Sequence, residues 1–253
     1  MARFNVGVHI RPQHTTVEAM RAGWKAADEL GVDLITTWDH FFPLGGDASG
    51  SHFECWTLLA AIACDTKHAR FGSMVTSNGY RNPDLIADMA RTVDHISGGR
   101  FNLGIGAGWA ERDYREYGFE FESGPERLKA LERSLPRIKN RLAKLNPPPK
   151  GPLPILIGGG GEKVTLRLAA QFADMWNTIA TPENYSRKNR ILDDWCAKVG
   201  RNPREIERTV NIPVTAIPSA DHYLEAGAQT LLLQLDHPFD LRPAEQLLKI
   251  SGR

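Results

Sequence analysis

Ser97-Gly-Gly-Arg-Phe-Asn-Leu-Gly-Ile-Gly-Ala-Gly-Trp-Ala-Glu-Arg-Asp-Tyr-Arg-Glu-Tyr-Gly118 is the stretch from which the fold is read. A two-glycine turn leads into residues 100–105, short and apolar enough to be a buried strand. The strand leaves through glycine at 104, 106 and 108, which lets the backbone turn with positive φ and lets a flat ligand approach the main chain. Trp109, Glu111, Arg112 and Tyr114 then follow on a helical start. A strand that ends in glycines and then in polar and aromatic side chains is how a parallel α/β protein builds a site at its carboxyl edge. Glycines that serve only turns are the plainer alternative.

Working outward, the same strand–helix alternation runs through the whole chain. Strands are expected at 4–10, 33–37, 70–76, 100–105, 154–157, 174–177, 207–214 and 230–235. Between them helices are expected at 17–30, 54–64, 83–96, about 126–145, 163–172, 182–199, 220–227 and 243–250. Proline in the first turn of the third helix sits where a lost N–H costs least. Eight strands alternating with helices in 253 residues predict an α/β fold, a (β/α)8 TIM barrel in a single domain over residues 1–253. A doubly wound open sheet is the alternative, and its phosphate loop after the first strand is missing.

Composition narrows the function. The chain is 42% hydrophobic, with 31 basic and 30 acidic residues and a net charge of +1, so neither nucleic acid nor a membrane surface is expected as partner. Cys55, Cys64 and Cys196 are odd in number and form no C-x-x-C pair, which suits reduced thiols in a cytoplasmic protein. Neither a signal segment nor a membrane-length apolar run is present. The basic run Arg127, Lys129, Arg133, Arg137, Lys139, Arg141 and Lys144 reads as a solvated face or, more sharply, as a field attracting an anionic ligand tail.

Several familiar motifs are excluded. Counting from Gly104, the sixth position of a dinucleotide fingerprint falls on Trp109, and Gly158 to Thr165 contains no Gly-Lys-Ser/Thr triplet. There is no G-x-S-x-G elbow and no His-Glu-x-x-His, and His9 is followed by Ile10-Arg11 rather than by a second histidine, so no metal site is expected. The polar residues at strand carboxyl ends are His9, Asp39, His40, Thr76, Asn78, Trp109 and Glu111, together with Gly158, Gly159, Gly160 and Gly161. His40 is the acid–base candidate, since histidine titrates near neutrality. Asp39 adjoins it in sequence, but adjacent residues leaving a strand point in different directions. The four glycines open a helix, whose N-terminal N–H groups suit a phosphate.

The ordered set Thr37-Trp38-Asp39-His40-Phe41-Phe42-Pro43, Phe53 to Ala61, Val75-Thr76-Ser77-Asn78-Gly79-Tyr80-Arg81-Asn82-Pro83, Asp94 to Arg100, Leu103 to Trp109, Tyr114 to Gly118 and residues 155–177 resembles the luciferase-like monooxygenase superfamily, in particular its F420-dependent oxidoreductases. That resemblance implies a luciferase-like barrel binding coenzyme F420, or alternatively FMN, across the carboxyl ends of its strands. It places His40 beside the ring for proton transfer and Asp39 against the cofactor. It also implies a non-prolyl cis peptide within Ser73-Met74-Val75, so that Met74 and Val75 back the ring with Thr76 beside them. Gly106 and Gly108 are expected to let the backbone pass the ring, and Gly159 to Gly161 to bind the phosphate. Sugar-phosphate dehydrogenases of the family carry a catalytic glutamate where this chain has Trp109, so a sugar phosphate is not the expected substrate, and Glu111 is the nearest replacement. The implied function is hydride transfer between F420 and a small organic substrate. The alternatives are an FMNH2-dependent monooxygenase served by a separate reductase, a non-catalytic F420 or flavin carrier, and a barrel hydrolase. A homodimer through the helices after strands two and three is implied by the same resemblance.

Overall fold

A computed structural model describes residues 2–253. The strands β1 (Asn5–Ile10), β2 (Leu34–Thr37), β3 (Arg70–Ser73), β4 (Thr76–Ser77), β5 (Phe101–Gly106), β6 (Ile155–Gly158), β7 (Met175–Ile179), β8 (Glu207–Ile212) and β9 (Thr230–Leu235) pair in parallel. β1 pairs with β9 and β3 with β5, which closes the sheet. β3 and β4 are two halves of one stave, so the closed sheet is an eight-stave barrel, as predicted. The peptide bond between Met74 and Val75, at the break in that stave, is cis. The strand predicted over 70–76 runs instead as two pieces, β3 and β4.

The strands read as near-continuous apolar runs because both faces are covered. Outside lie the helices α1 (Val17–Leu30), α2 (Cys55–Asp65), α3 (Pro83–Ser97), α4 (Glu111–Glu116), α5 (Gly124–Lys144), α6 (Thr165–Phe172), α7 (Pro182–Val199), α8 (Ala220–Glu225) and α9 (Arg242–Ser251). Their termini are specified locally. Thr16 caps α1 by accepting the Ala19 N–H, and Asn82 caps α3 ahead of Pro83. Glu54, predicted as the first helical residue, is instead the cap of α2, its carboxylate accepting from Trp56 and Thr57 N–H. Gly31, Gly98 and Gly200 end their helices in the left-handed conformation.

Two boundaries move for identifiable reasons. The strand expected over 207–214 stops at Ile212, since Pro213 has no N–H for the ladder, and a 3-10 turn follows over Val214–Ser219. The helix expected from 163 starts at Thr165.

Inside the barrel, Leu34, Leu156, Met175 and Leu232 form a compact apolar layer. Alternate residues of each strand point inward, so the layer above it is built two positions further along. That next layer is where the polar side chains begin. On the outer surface Arg137 and Arg141 of α5 pair with Asp84 and Asp88 of α3 at 2.7 and 3.0 Å. Arg127 donates to the Gly108 and Glu122 carbonyls. These three arginines thus have partners, and this part of the basic run tethers neighbouring segments instead of forming a free field.

Candidate active site

The carboxyl ends of the strands surround a cleft of about 650 Å³. β2 delivers Trp38, Asp39 and His40 to it. Asp39 and His40 diverge as expected of neighbours on an extended segment. The Asp39 carboxylate turns away from the imidazole, accepts bidentately from Arg81 at 2.6 and 3.1 Å, and also accepts the Ser77 N–H at 3.1 Å. It locks the carboxyl end of the interrupted stave to β2.

The carboxylate that meets His40 is Asp113, on α4. Its Oδ2 lies 2.6 Å from His40 Nδ1 and accepts the Tyr80 hydroxyl at 2.9 Å, while Oδ1 accepts the Phe41 N–H at 3.2 Å. Burial pushes the Asp113 carboxyl up, but the hydrogen bonds from His40, Tyr80 and Phe41 outweigh it and hold it below its usual range. An acceptor-only carboxylate at Nδ1 fixes that nitrogen as the N–H, which leaves Nε2 for the cleft. Two indoles hold the imidazole edge-on, with ring centroids 5.9 Å away at Trp38 and 5.6 Å away at Trp109.

Two further histidines pack against Trp38. His9 Nδ1 is 2.9 Å from the Thr36 hydroxyl, and burial, with Arg11 beside it, lowers its pKa to about 3. His52 accepts the Trp38 indole N–H at 2.9 Å, and burial lowers its pKa to about 4. Both are neutral near pH 7, so they shape the cleft without charging it.

The back wall is made by Met74 and Val75. Val75 packs between two glycines: a Cβ at Gly106 or at Gly158 would lie 2.8 Å from one of its methyl carbons. Only glycine leaves that wall flat. Gly108 has a different reason to be glycine, with φ +81 and the Tyr114 hydroxyl where a Cβ would stand.

The residues expected at the site divide as follows. His40, Asp39, Met74, Val75, Gly106, Gly108, Trp109, Gly158 and Gly159 line the cleft. Thr76 does not: it is fully buried and its hydroxyl donates to Ser73, so the neighbouring Ser77 lines the cleft in its place. Asn78 is also outside the lining, its N–H donated to the Gly106 carbonyl. Gly160 and Gly161 lie beyond the cleft, their carbonyls accepting from Lys188 Nζ and the Leu166 N–H. Glu111 points to solvent and pairs with Arg115 one turn on, at 2.6 Å.

As site residues the sequence reading missed Asp113, Arg11, Gln13, Asn211 and Gln234, and it used Tyr80 and Asn177 only within the family resemblance. Inward parity would have found three of them. Counting two on from Met175 gives Asn177, from Thr209 gives Asn211 and from Leu232 gives Gln234, and all three line the cleft. Arg11 donates to Asp236 at 2.9 Å and to Gln234, and lies 5.5 Å over the Trp38 ring. Among the described residues no cluster of three or more His, Cys, Asp or Glu side chains is placed to hold a metal ion. No helix among them is long and apolar enough to cross a membrane.

A closed parallel barrel with a buried carboxylate–histidine pair at its carboxyl end has the form of a (β/α)8 enzyme. The profile of the luciferase-like monooxygenase family matches residues 1–246, and the chain belongs to that family. It is 29% identical over 221 residues to an F420-dependent glucose-6-phosphate dehydrogenase of Microbacterium testaceum, covering 79% of this chain and 64% of the relative. It is 33% identical over 178 residues to a phthiodiolone/phenolphthiodiolone dimycocerosates ketoreductase of Mycobacterium bovis, covering 62% of this chain and 46% of the relative. The chain thus spans roughly half to just under two-thirds of the length of these curated relatives. Among solved structures it superimposes on an F420-dependent secondary alcohol dehydrogenase in complex with an F420-acetone adduct, with TM-score 0.85, 16% identity and 98% of both chains covered. The FMN complex of the oxygenating constituent of 3,6-diketocamphane monooxygenase from Pseudomonas putida superimposes with TM-score 0.77 and 16% identity, covering 99% of this chain and 97% of that one. At those identities the structures speak for the fold.

Proposed function

We propose that the chain is an oxidoreductase that uses coenzyme F420 for hydride transfer to or from a small organic substrate. The observation that carries this is the pairing of a flat wall with an oriented histidine across one cleft. Val75, seated between Gly106 and Gly158, offers a planar ring a surface that any Cβ at either glycine would break. His40, held by Asp113, faces the same space. The curated relatives named for F420 support the choice of deazaflavin over FMN.

In this reading Met74 and Val75 back the ring, with Gly106, Gly108, Gly158 and Gly159 along its edge. The glycine turn after β6, with Lys188 beside it, is the place for the phosphate and tail. When bound, F420 supplies hydride chemistry at its ring. His40 holds or accepts a proton at Nε2, next to the substrate heteroatom that changes protonation, and Asp113 keeps its other nitrogen occupied. Trp38 and Trp109 flank the imidazole and keep water from it. The carboxylate needed beside His40 is thus Asp113, and Glu111 has no part in this scheme. We also place the enzyme in the cytoplasm, on its three unpaired cysteines, and as a homodimer through α2 and α3, where Leu85 and Ile96 of α3 are exposed.

Parallel equilibrium titrations with F420 and FMN test the cofactor assignment. Micromolar binding of F420 with FMN much weaker is expected. The reverse preference would make the chain an FMNH2-dependent monooxygenase needing a reductase, and binding of neither would remove the assignment. His40→Ala is expected to retain F420 and to lose turnover about 100-fold or more, the range of a general acid–base group.

A further inference from the structure

Two consecutive residues between β4 and α3, Tyr80 and Arg81, answer one aspartate each. Arg81 is a cation and takes Asp39, with bonds of 2.6 and 3.1 Å. Tyr80 is a neutral donor and takes Asp113. Its hydroxyl lies 2.9 Å from Oδ2, the same oxygen that stands 2.6 Å from His40 Nδ1. The division has an electrostatic consequence. A bidentate guanidinium answers a carboxylate charge with a full opposite charge, whereas a phenol O–H only polarises it. Asp113 is thereby left with negative charge for the imidazole, and Asp39 is not.

Tyr80 is built to donate and to stay in place. It is 6% exposed, and burial together with the Asp113 charge pushes its phenol well above the usual range, so the hydroxyl keeps its proton. Its ring is fixed by packing that does not involve the hydroxyl, with centroids 4.9 Å away at Phe41, 4.8 Å at Tyr114 and 5.3 Å at Phe119. Asp113 is then held at both oxygens, by the Phe41 N–H at Oδ1 and by Tyr80 at Oδ2. One oxygen with two donors divides its charge between them, so what Tyr80 draws is withheld from the imidazolium.

We propose that Tyr80 is a positioning residue of the site: through Asp113 its hydroxyl sets how tightly His40 holds its proton. The other titratable or charged groups around the imidazole do not stand in for it. His9 of β1 and His52 ahead of α2, with pKa values of about 3 and about 4, are neutral above about pH 5. Arg11 of β1 is met by Asp236 at 2.9 Å, and Asp39 by Arg81. The use made of the proton rests on the oxidoreductase reading; the coupling of Tyr80 to His40 does not.

The test is a pH titration of the His40 ring by NMR, on the whole protein with isotope-labelled histidine and no cofactor, the resonance being identified by its loss in His40→Gln. Tyr80→Phe keeps the ring packing and removes only the donor. The proton at His40 is then expected to be held about three- to tenfold more tightly, a midpoint higher by about 0.5 to 1 pH unit. Labelling the parent protein with meta-fluorotyrosine, whose more acidic phenol donates more strongly, is expected to move the midpoint the other way. Asp113→Asn is expected to abolish both effects. A residue that only propped the carboxylate would give the opposite sign, since a loosened Asp113 supports the imidazolium less. A lower midpoint in Tyr80→Phe, an unchanged one, or a rise that persists in the Asp113→Asn background would each overturn the inference. F420 titrations of the same proteins keep the two readings apart. Coupling in a protein that binds no F420 would uphold the role of Tyr80 and remove the cofactor assignment, and F420 binding without coupling would do the reverse.

Discussion

At the scale of single residues, the site depends on which carboxylate faces which cation. Asp39 is adjacent to His40 in sequence yet serves Arg81, whereas Asp113, 73 positions away, serves His40. Adjacency was legible and contact was not, because successive side chains on an extended segment diverge. The partner arrives only when the chain after β5 folds back. Asp113→Asn leaves a side chain of the same shape whose amide no longer fixes the imidazole. Turnover is expected to fall about tenfold, part of what a positioned acid–base group contributes, while F420 titration shows the cofactor retained. The buried imidazoles make a separate prediction about stability. His9 and His52 have folded pKa values of about 3 and about 4, below the 6.5 of a free imidazole. The unfolded chain therefore binds more protons than the folded one below about pH 6.5, and their contribution is present above that value and lost as pH falls toward 4. Each group supplies a slope of at most about 1.4 kcal/mol per pH unit. Urea midpoints at pH 7 and pH 4.5 check this, and His52→Gln, which can still accept the Trp38 N–H, is expected to flatten the slope.

Among the elements, the connection from β5 to α5 has the most to position. Residues 107–123 bring both Trp109 and Asp113 over the cleft, and they are held there by aromatic packing. Tyr80 lies 4.8 Å from Tyr114, Phe41 stacks on Tyr117 at 4.0 Å, and Tyr114 meets Phe121 at 5.0 Å. Gly108 is the hinge of this arrangement, with φ +81 and no room for a Cβ beside Tyr114 and Ser77. Gly108→Ala is expected to cost about 2 kcal/mol, from the left-handed backbone and the displaced ring. It should also weaken turnover, because Asp113 moves with Tyr114. Thermal unfolding read beside the kinetics checks the pair, and a loss of stability with unchanged turnover would separate the connection from the site. The sequence showed this stretch as the organising one through its glycines and strand pattern. It did not show what each glycine is for: Gly106 makes room for Val75 and Gly108 for Tyr114. The break between β3 and β4 was placed within Ser73-Met74-Val75 by family resemblance alone, because apolar periodicity runs straight through it.

For the whole molecule, the barrel separates its tasks by end. The proposed chemistry lies at the carboxyl ends of the strands, where Asn177, Asn211 and Gln234 line the cleft with His40. At the opposite end Arg70 of β3 reaches across to Glu207 of β8, with bonds of 2.8 and 3.0 Å, and the Thr230 hydroxyl donates to the same carboxylate. Between them lies the apolar layer of Leu34, Leu156, Met175 and Leu232. Burial pushes the Glu207 carboxyl up, but Arg70 and Thr230 bring it below its usual value, so the group is ionised and structural at neutral pH. Glu207→Gln keeps the volume and removes the charge that Arg70 answers. It is expected to cost about 2 kcal/mol, the scale of a partly buried ion pair broken on one side. The apolar layer stands between this pair and the cleft, so F420 affinity and turnover are expected to match the parent protein at a temperature where both are folded. If F420 affinity falls together with the melting temperature, the two ends are coupled through the barrel, and the division that conserves stability below and chemistry above does not hold for this chain.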